Sequence, residues 1–224
     1  MKDCNKLCEM FAYVAEHHNE YCVKKATDKK NPYWIMTRTG GKKSTVPTIS
    51  TLLEEILKNE KYDYKFSRST PSKEMPKLLY YAILKDVEDN RKLIKLEGKK
   101  EYEKPSTSKD KARYVVYLVD PFDKRVYLTF NQGTKDREVS DIEKTAVQLR
   151  EMLKPYFGEE NIVWDSLPGA EYSADEKYGK KYSKGTVCYI QYDVDTLSGM
   201  QDDTKLIEDL MLFIKISDKY FELK

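Results

Sequence analysis

Apolar residues recur at helical spacing in four segments of the chain. In residues 3–24 they lie three or four positions apart, at Leu7, Met10, Phe11 and Val14. The same spacing recurs in residues 49–59, 141–157 and 202–223. Side chains spaced in this way share one face of an α-helix, so the pattern predicts four amphipathic helices.

A different pattern dominates the middle of the chain, where short runs of β-branched and aromatic residues alternate with turn residues. Such runs predict strands. They cover residues 31–36, 78–85, 92–96, 114–119, 125–130, 161–165 and 186–192. Asp120-Pro121-Phe122-Asp123 is a typical turn sequence, so the runs on either side of it are predicted to pair as an antiparallel hairpin. Residues 97–111 and 169–185 are polar and predict loops.

The order of these elements predicts an α+β fold. Its centre is a mixed or antiparallel β-sheet of about five or six strands, packed on helices. Helices dominate residues 1–61 and strands begin after Tyr62. We therefore predict a helical N-terminal extension in residues 1–61 and an α+β domain in residues 62–224.

Composition adds one distinctive feature, an excess of tyrosine. The 224 residues are enough to bury a core, and 40 Lys+Arg against 38 Asp+Glu leave a net charge that neither requires nor excludes nucleic acid. The 18 tyrosines suit stacking surfaces, although a biased codon usage would also explain them. The N-terminus has no apolar signal region, and no run of eighteen apolar residues occurs, so a cytoplasmic protein without a membrane partner is expected.

The cysteines and histidines give only weak support for a metal site. Cys4 and Cys8 are one helical turn apart, as are His18 and Cys22, but no paired CxxC spacing is present. Such residues are more typical of buried small side chains and a solvated histidine. We therefore expect no metal ion and no other cofactor.

Motifs for catalysis are incomplete. The segment 40–45 resembles a phosphate-binding loop, but Met36 stands where its first glycine is needed, and Lys43 stands where a hydroxyl should reach magnesium. A metal-dependent nuclease would use Asp165 together with the acid-x-Lys segment 175–177, and this remains an alternative. No catalytic residues are assigned, and the chain alone is expected not to be an enzyme.

Two segments combine basic residues with aromatic ones directly before predicted strands. They are residues 65–73 (KFSRSTPSK) and 177–185 (KYGKKYSKG). Cations hold phosphates, small residues let the backbone approach them, and aromatic rings stack on bases. The pattern favours nucleic-acid binding, and a protein-interaction adaptor in a defence system is the alternative. The residues predicted to contact the DNA backbone are Arg68, Lys73, Lys177, Gly179, Lys180 and Lys181.

Four segments of the chain resemble a known family. They are residues 79–84 (LYYAIL), 114–119 (YVVYLV), 125–133 (RVYLTFNQG) and 176–180 (EKYGK), the last lying ahead of Gly185-Thr186-Val187. Together they resemble the N-terminal domain of McrB-like proteins, over a region that extends from Lys65 to the C-terminus. The most specific match is Tyr127–Gly133, which ends in Asn-Gln-Gly.

This resemblance implies the DNA-binding specificity module of a modification-dependent (type IV) restriction system, which serves antiviral defence. In the family, a modified cytosine such as 5-methylcytosine is flipped out of the duplex into an aromatic pocket. Tyr80, Leu118 and Tyr178 match the pocket positions, although Leu79 replaces the usual proline and residues 67–73 contain no glycine. The implied partners are double-stranded DNA with a modified cytosine, an AAA+ GTPase motor and a nuclease subunit.

Overall fold

The computed structural model describes residues 6–23, 47–60, 62, 64–68, 79–94, 102–120, 123–158, 161–168 and 176–224, with the backbone alone at 18–23, 66–68, 92–94, 102–104 and 176–178. The helices are α1 (Leu7–Val23), α2 (Ile49–Asn59), α3 (Val139–Leu153), α4 (Glu176–Gly185), α5 (Val194–Gly199) and α6 (Thr204–Leu223). The strands are β1 (Tyr64–Arg68), β2 (Leu79–Lys85), β3 (Arg91–Ile94), β4 (Tyr102–Pro105), β5 (Arg113–Asp120), β6 (Arg125–Gln132) and β7 (Cys188–Asp193). Short 3₁₀ turns occupy Glu88–Asn90 and Lys154–Tyr156.

Five strands form the central sheet in the order β1-β2-β5-β6-β7. Every neighbouring pair is antiparallel, and β5 and β6 pair along their whole length, with Tyr117 opposite Leu128. Strands β3 and β4 form a separate two-stranded sheet. The predicted α+β fold with an antiparallel sheet is therefore confirmed, and so is the predicted hairpin.

One face of the central sheet carries the main hydrophobic core. Helices α1 and α6 contact β5 and β6 on this face. The Phe11 ring of α1 lies 4.8 Å from the Tyr117 ring and 6.0 Å from the Tyr81 ring, measured between centroids. All three side chains are fully buried. Helix α1 thus shares one core with the sheet, and the division between residues 61 and 62 stays a prediction.

The start of α1 is closed by a carboxylate from the far end of the chain. The two oxygens of Asp203 accept hydrogen bonds from the backbone nitrogens of Leu7 and Cys8, each at 2.8 Å. Backbone N–H groups in the first turn of a helix have no partner within the helix, and a carboxylate is a favourable one because the helix dipole is positive there. Asp203 therefore links α1 to the loop before α6.

Four predictions of local structure were wrong. Residues 65–73 begin with strand β1, residues 97–111 contain strand β4, and residues 169–185 end in helix α4 rather than a loop. Residues 161–165 form a single bridge between Val163 and Tyr189 rather than a strand. Strands β1 and β4 are polar because they are outer strands with a solvated side, so they lack the apolar pattern of a buried strand.

Several predicted features fall outside the described residues. These are the strand at 31–36, the glycine-rich segment 40–45, Cys4, and the side chains of His18 and Cys22. Among the residues that the structure does describe, no helix combines the length and apolar character needed to span a bilayer.

Candidate functional site

The second face of the central sheet carries a small core rich in tyrosine. Side chains alternate between the faces of a strand, so the neighbours of the main-core residues point to this side. Its sheet residues are Tyr80, Ala82, Leu84, Tyr114, Val116, Leu118, Tyr127 and Tyr189. Leu167 and Tyr182 cover them from above the sheet. Aromatic rings thus line both the floor and the cover of this core.

Two of the three predicted pocket residues lie side by side in this face. Tyr80 of β2 and Leu118 of β5 are directly opposite each other in the antiparallel ladder. The Leu118 side chain is buried, while Tyr80 is half-buried. Burial raises the pKa of the Tyr80 phenol, which therefore stays protonated at neutral pH. Tyr80 also lies 6.5 Å from Tyr182 between ring centroids, with the two rings inclined at 32°.

Helix α4 crosses this face and encloses a small cavity against the sheet. The cavity walls include Leu118, Asp120, Tyr127, Leu167, Gly179 and Tyr182. Its volume is about 10 Å³, which is room for about one water molecule. Residues separated by more than 60 positions in the sequence therefore converge on one small, mostly apolar site that includes two tyrosines.

Helix α4 also carries most of the residues that were predicted to contact DNA. Gly179 is buried at the cavity, Lys180 is exposed, and Lys181 is 7% exposed. Position 178 comes one helical turn before Tyr182, so both positions share a face of the helix. For Arg68, Lys177 and Tyr178 only the backbone is described, and Lys73 lies outside the described residues. The structure thus places Tyr80 opposite Leu118, brings Leu118 and Gly179 to one cavity, and leaves Lys181 with little accessible surface.

The Asn-Gln-Gly sequence at the end of β6 holds the C-terminal half of α4 in place. Asn131 Nδ2 donates to the Tyr182 main-chain oxygen at 3.2 Å and to Thr186 Oγ1 at 3.0 Å. Gln132 Nε2 donates to the Gly185 oxygen at 3.3 Å. Both amide side chains are fully buried, so these bonds are shielded from competing water.

Further contacts fix this arrangement from the other side. Arg137 Nη1 donates to Gln132 Oε1 at 2.6 Å and to the Gly133 oxygen at 3.2 Å, which orients the Gln132 amide. Ser183 Oγ donates to the Leu167 oxygen at 2.8 Å, which joins α4 to the segment that covers the cavity. The most specific segment of the family resemblance therefore positions α4 above the sheet.

Gly133 is required by a close approach of two backbone segments. Its nitrogen donates to the Ala112 oxygen at 2.8 Å. A Cβ atom at this position would collide with the Lys109 carbonyl oxygen. No other residue type fits here without a shift of the backbone.

The cavity residues that were not among the predicted site residues are Val119, Asp120, Tyr127, Leu167 and Tyr182. Asp120 was interpreted as a turn residue, and it does serve the turn, because its Oδ1 accepts from the Asp123 nitrogen at 3.1 Å. Asp120 is also one of the residues around the cavity, and only 2% of its surface is exposed. Tyr182 is one of 18 tyrosines in the chain. Its spacing of four residues from Tyr178 would have indicated that the two share a helix face, had this segment been predicted as a helix.

The polar groups of this core form a short chain of hydroxyls. The Tyr114 hydroxyl donates to the Gln132 main-chain oxygen at 3.1 Å and also shares a hydrogen bond with Tyr182. Complete burial is the main cause that raises the pKa of Tyr114 well above its usual value. The cover residue Tyr182 is therefore held both by packing and by a hydrogen bond to the floor of the site.

Of the residues named in the nuclease alternative, the structure describes Asp165 and the backbone of residues 176–177, whereas Asp175 lies outside the described residues. Asp165 has a 70% exposed side chain, 3.8 Å from Arg150 Nη1, and Glu176 and Lys177 begin a helix rather than lie on a strand beside it. In the described part of the chain, no group of three or more His, Cys, Asp and Glu residues could hold a metal ion.

Comparison with known proteins gives one family. The family model described as MrcB-like, N-terminal domain matches residues 102–222, which is more than half of the chain. The match includes Leu118, Asp120 and all of α4, whereas Tyr80 lies before it. No curated protein and no solved structure matches the chain significantly.

Proposed function

Because the chain belongs to the MrcB-like N-terminal domain family, we propose that it is the DNA-binding specificity module of a modification-dependent restriction system. It reads a modified cytosine, such as 5-methylcytosine, that is flipped out of the duplex into the site between α4 and the sheet. Within such a system the DNA-reading module works in the cytoplasm beside an AAA+ GTPase motor and a nuclease subunit.

The observation that carries the proposal is that Leu118 and Gly179 line one small cavity, while Tyr80 lies opposite Leu118 in the ladder and beside the cavity residue Tyr182. Tyr80 and Leu118 were predicted as pocket residues together with Tyr178, and Gly179 was predicted as a contact of the DNA backbone. A mostly apolar site that includes Tyr127 and Tyr182 suits a base that has left the stack, because stacking and exclusion of water offset the cost of flipping it.

A polar group for recognising cytosine is available in the same site. A flipped base exposes its Watson–Crick edge, and cytosine differs from thymine there by its N4 amino group, which donates hydrogen bonds. Asp120 lines the cavity, and an ionised carboxylate offers about four acceptor positions. We therefore assign to Asp120 the recognition of the N4 amino group.

Phosphate contacts are assigned to the accessible basic residues of α4 and to the other predicted positions. Lys180 is exposed beside the buried Gly179, on the helix that covers the site. Lys177, Arg68 and Lys73 complete the proposed set. Lys181 has only 7% of its surface accessible and is given the smallest share of the DNA contact.

The proposal is tested by titrating the chain with two duplexes that differ only in one 5-methylcytosine. We expect tighter binding of the modified duplex and an affinity for both that falls steeply with salt, because phosphate contacts release counterions. Replacing Tyr178 by Ala should weaken the modified duplex more than the unmodified one, by about 1–3 kcal/mol for one lost stacking contact.

Lys180→Ala is the matched comparison. It should weaken both duplexes alike and reduce the salt dependence by about one unit of slope. Equal losses on both duplexes for Tyr178→Ala would remove that residue from the base site. Absence of DNA binding, or binding that ignores salt, would favour a protein-interaction adaptor. Cleavage of DNA that requires magnesium and is abolished by Asp165→Ala would favour a nuclease.

A further inference from the structure

The cavity between α4 and the sheet is too small to receive a base as it stands. Its volume of about 10 Å³ compares with about 300–1,000 Å³ for typical ligand pockets. A flipped base therefore enters only when part of the wall moves aside.

Most of the wall is fixed. Leu118 and Tyr127 lie on the two central strands of the sheet and are almost completely buried. The Leu167 oxygen accepts the hydrogen bond from Ser183. The main chain of α4 is held at Tyr182, whose oxygen accepts from Asn131 Nδ2 at 3.2 Å and from Thr186 Oγ1 at 3.0 Å. Movement of α4 as a whole would break this buried set of bonds.

Among the residues that line the cavity, Tyr182 is the one that is not buried. It is half-buried rather than buried, so rotation about its side-chain bonds takes the ring towards solvent without moving the helix. The rotation gives up packing on the tyrosine-rich core and the hydrogen bond with Tyr114. These contacts set an equilibrium between a closed site and an open one.

The ring of Tyr182 also has the size of the proposed ligand. A phenol and a pyrimidine are both single six-membered rings that carry polar substituents, so the space that the phenol leaves fits a cytosine. A purine has a fused second ring and would need further movement of the fixed wall.

We propose that Tyr182 occupies the base site in the free protein and that a flipped pyrimidine takes its place. This inference rests on the proposed function and adds to it a gate. The ring makes binding of a modified base depend on a minority open state, and the space that it vacates selects pyrimidines over purines.

The gate is tested by replacing Tyr182 with Ala and measuring affinity for the modified and the unmodified duplex. Open states of this kind are populated at about 0.1–10%, and the apparent affinity is reduced by that fraction. Removing the ring should therefore tighten binding of the modified duplex by about tenfold or more. The affinity for the unmodified duplex should not change.

Tyr182→Phe provides a graded second variant that keeps the ring and is therefore expected to fold. It loses only the hydrogen bond with Tyr114, which should tighten binding of the modified duplex by about twofold to tenfold. Tyr156→Phe is the control, because Tyr156 is 54% exposed and does not belong to this core. It should leave both affinities unchanged. Thermal unfolding of each variant confirms that the fold is retained.

The possible results separate the gate from the function beneath it. If the wild-type chain binds neither duplex, or both equally, the proposed function fails and the gate fails with it. If the wild-type chain prefers the modified duplex but neither Tyr182 variant binds it more tightly, the gate alone is wrong. Weaker binding of the modified duplex by Tyr182→Ala would mean that the ring is a stacking surface for the base rather than its competitor.

Discussion

The Asn131 side chain donates a hydrogen bond to the main-chain oxygen of Tyr182, with 3.2 Å between the two atoms. This bond joins the end of β6 to the middle of α4, 51 residues later in the sequence. The side chains of Asn131 and Gln132 do not line the cavity. They affect the site through their hydrogen bonds to the helix. The two amides hold the helix that covers the site.

Asn131→Asp should destabilise the fold. The change keeps an acceptor for the Gln132 nitrogen but replaces the buried Nδ2 donor by an oxygen that faces the Tyr182 carbonyl. A buried polar group that loses its partner costs about 1–3 kcal/mol, and we expect the free energy of unfolding in urea to fall by at least that amount. Asn161→Asp is the control, because Asn161 is exposed. Similar losses in the two variants would contradict a role for the Asn131 donor.

Gly133→Ala should be more damaging than its small size suggests. The added methyl group collides with the Lys109 carbonyl oxygen, and the backbone around both residues must shift. We expect a loss of about 3 kcal/mol or more in the free energy of unfolding. Gly199→Ala adds the same methyl group where no atom lies within 4 Å, at the end of a helix. It should be neutral or stabilise by up to about 1 kcal/mol. Equal effects of the two changes on the free energy of unfolding would show that the close approach of Gly133 to the Lys109 carbonyl does not affect stability.

Asp120→Asn should reduce the discrimination between bases. The variant keeps an oxygen for the Asp123 nitrogen, but it turns the other acceptor into a donor that opposes the N4 amino group of cytosine. We expect the preference for a modified duplex to fall by about 1–3 kcal/mol in paired titrations. Asp123→Asn changes an exposed carboxylate in the same turn and should leave the preference intact. A preference that survives Asp120→Asn would exclude Asp120 from base recognition.

Stability should fall steeply with pH above about 10. Burial raises the pKa of Tyr114, Tyr117 and Tyr192 above the ordinary value of 10.0, so the folded state keeps protons that the unfolded state releases. The stabilisation is complete below pH 10 and decreases as pH rises, by about 1.4 kcal/mol per pH unit for each tyrosine. The slope is measured by urea unfolding between about pH 9 and pH 11, a range that brackets the ordinary tyrosine pKa of about 10.

A single variant tests the contribution of one of these tyrosines to the slope. Tyr117→Phe removes a buried hydroxyl whose hydrogen bond to the Leu206 oxygen is long at 3.4 Å, so the variant should fold. The slope should decrease by the contribution of one tyrosine. Tyr156→Phe changes a tyrosine that is 54% exposed and should leave the slope as it is. An unchanged slope in Tyr117→Phe would contradict the raised pKa of that phenol.

The sequence predicted the elements whose side chains are apolar on at least one face. Helix α2 has the predicted bounds, and the hairpin of β5 and β6 was recognised from its β-branched runs. Strand β1 (YKFSR) and helix α4 (EKYGKKYSKG) were missed because their own residues do not favour those structures. Helix α4 contains two glycines and is held by Asn131, Gln132 and Ser183, so tertiary contacts override local preference.

The site was predicted in part for a related reason. Leu118 lies on a strand and Gly179 in a family-like segment, so pattern and resemblance both led to them. Asp120 and Tyr182 depend on how α4 crosses the sheet, which the sequence alone does not specify. The sequence around Asp120 is typical of a turn, and nothing in it indicates that Asp120 also lies at the cavity.

The carboxylate of Asp203 at the start of α1 has a consequence for synthesis of the chain. Its partner Cys8 precedes it by 195 residues, and a ribosome that adds about 5–20 residues per second needs about 10–40 s to cover that distance. The strands β5 and β6, on which α1 packs, end at or before Gln132 and are therefore synthesised before Asp203. The cap is added after the strands, so we expect the first turn of α1 to be among the last parts of the fold to be completed during synthesis.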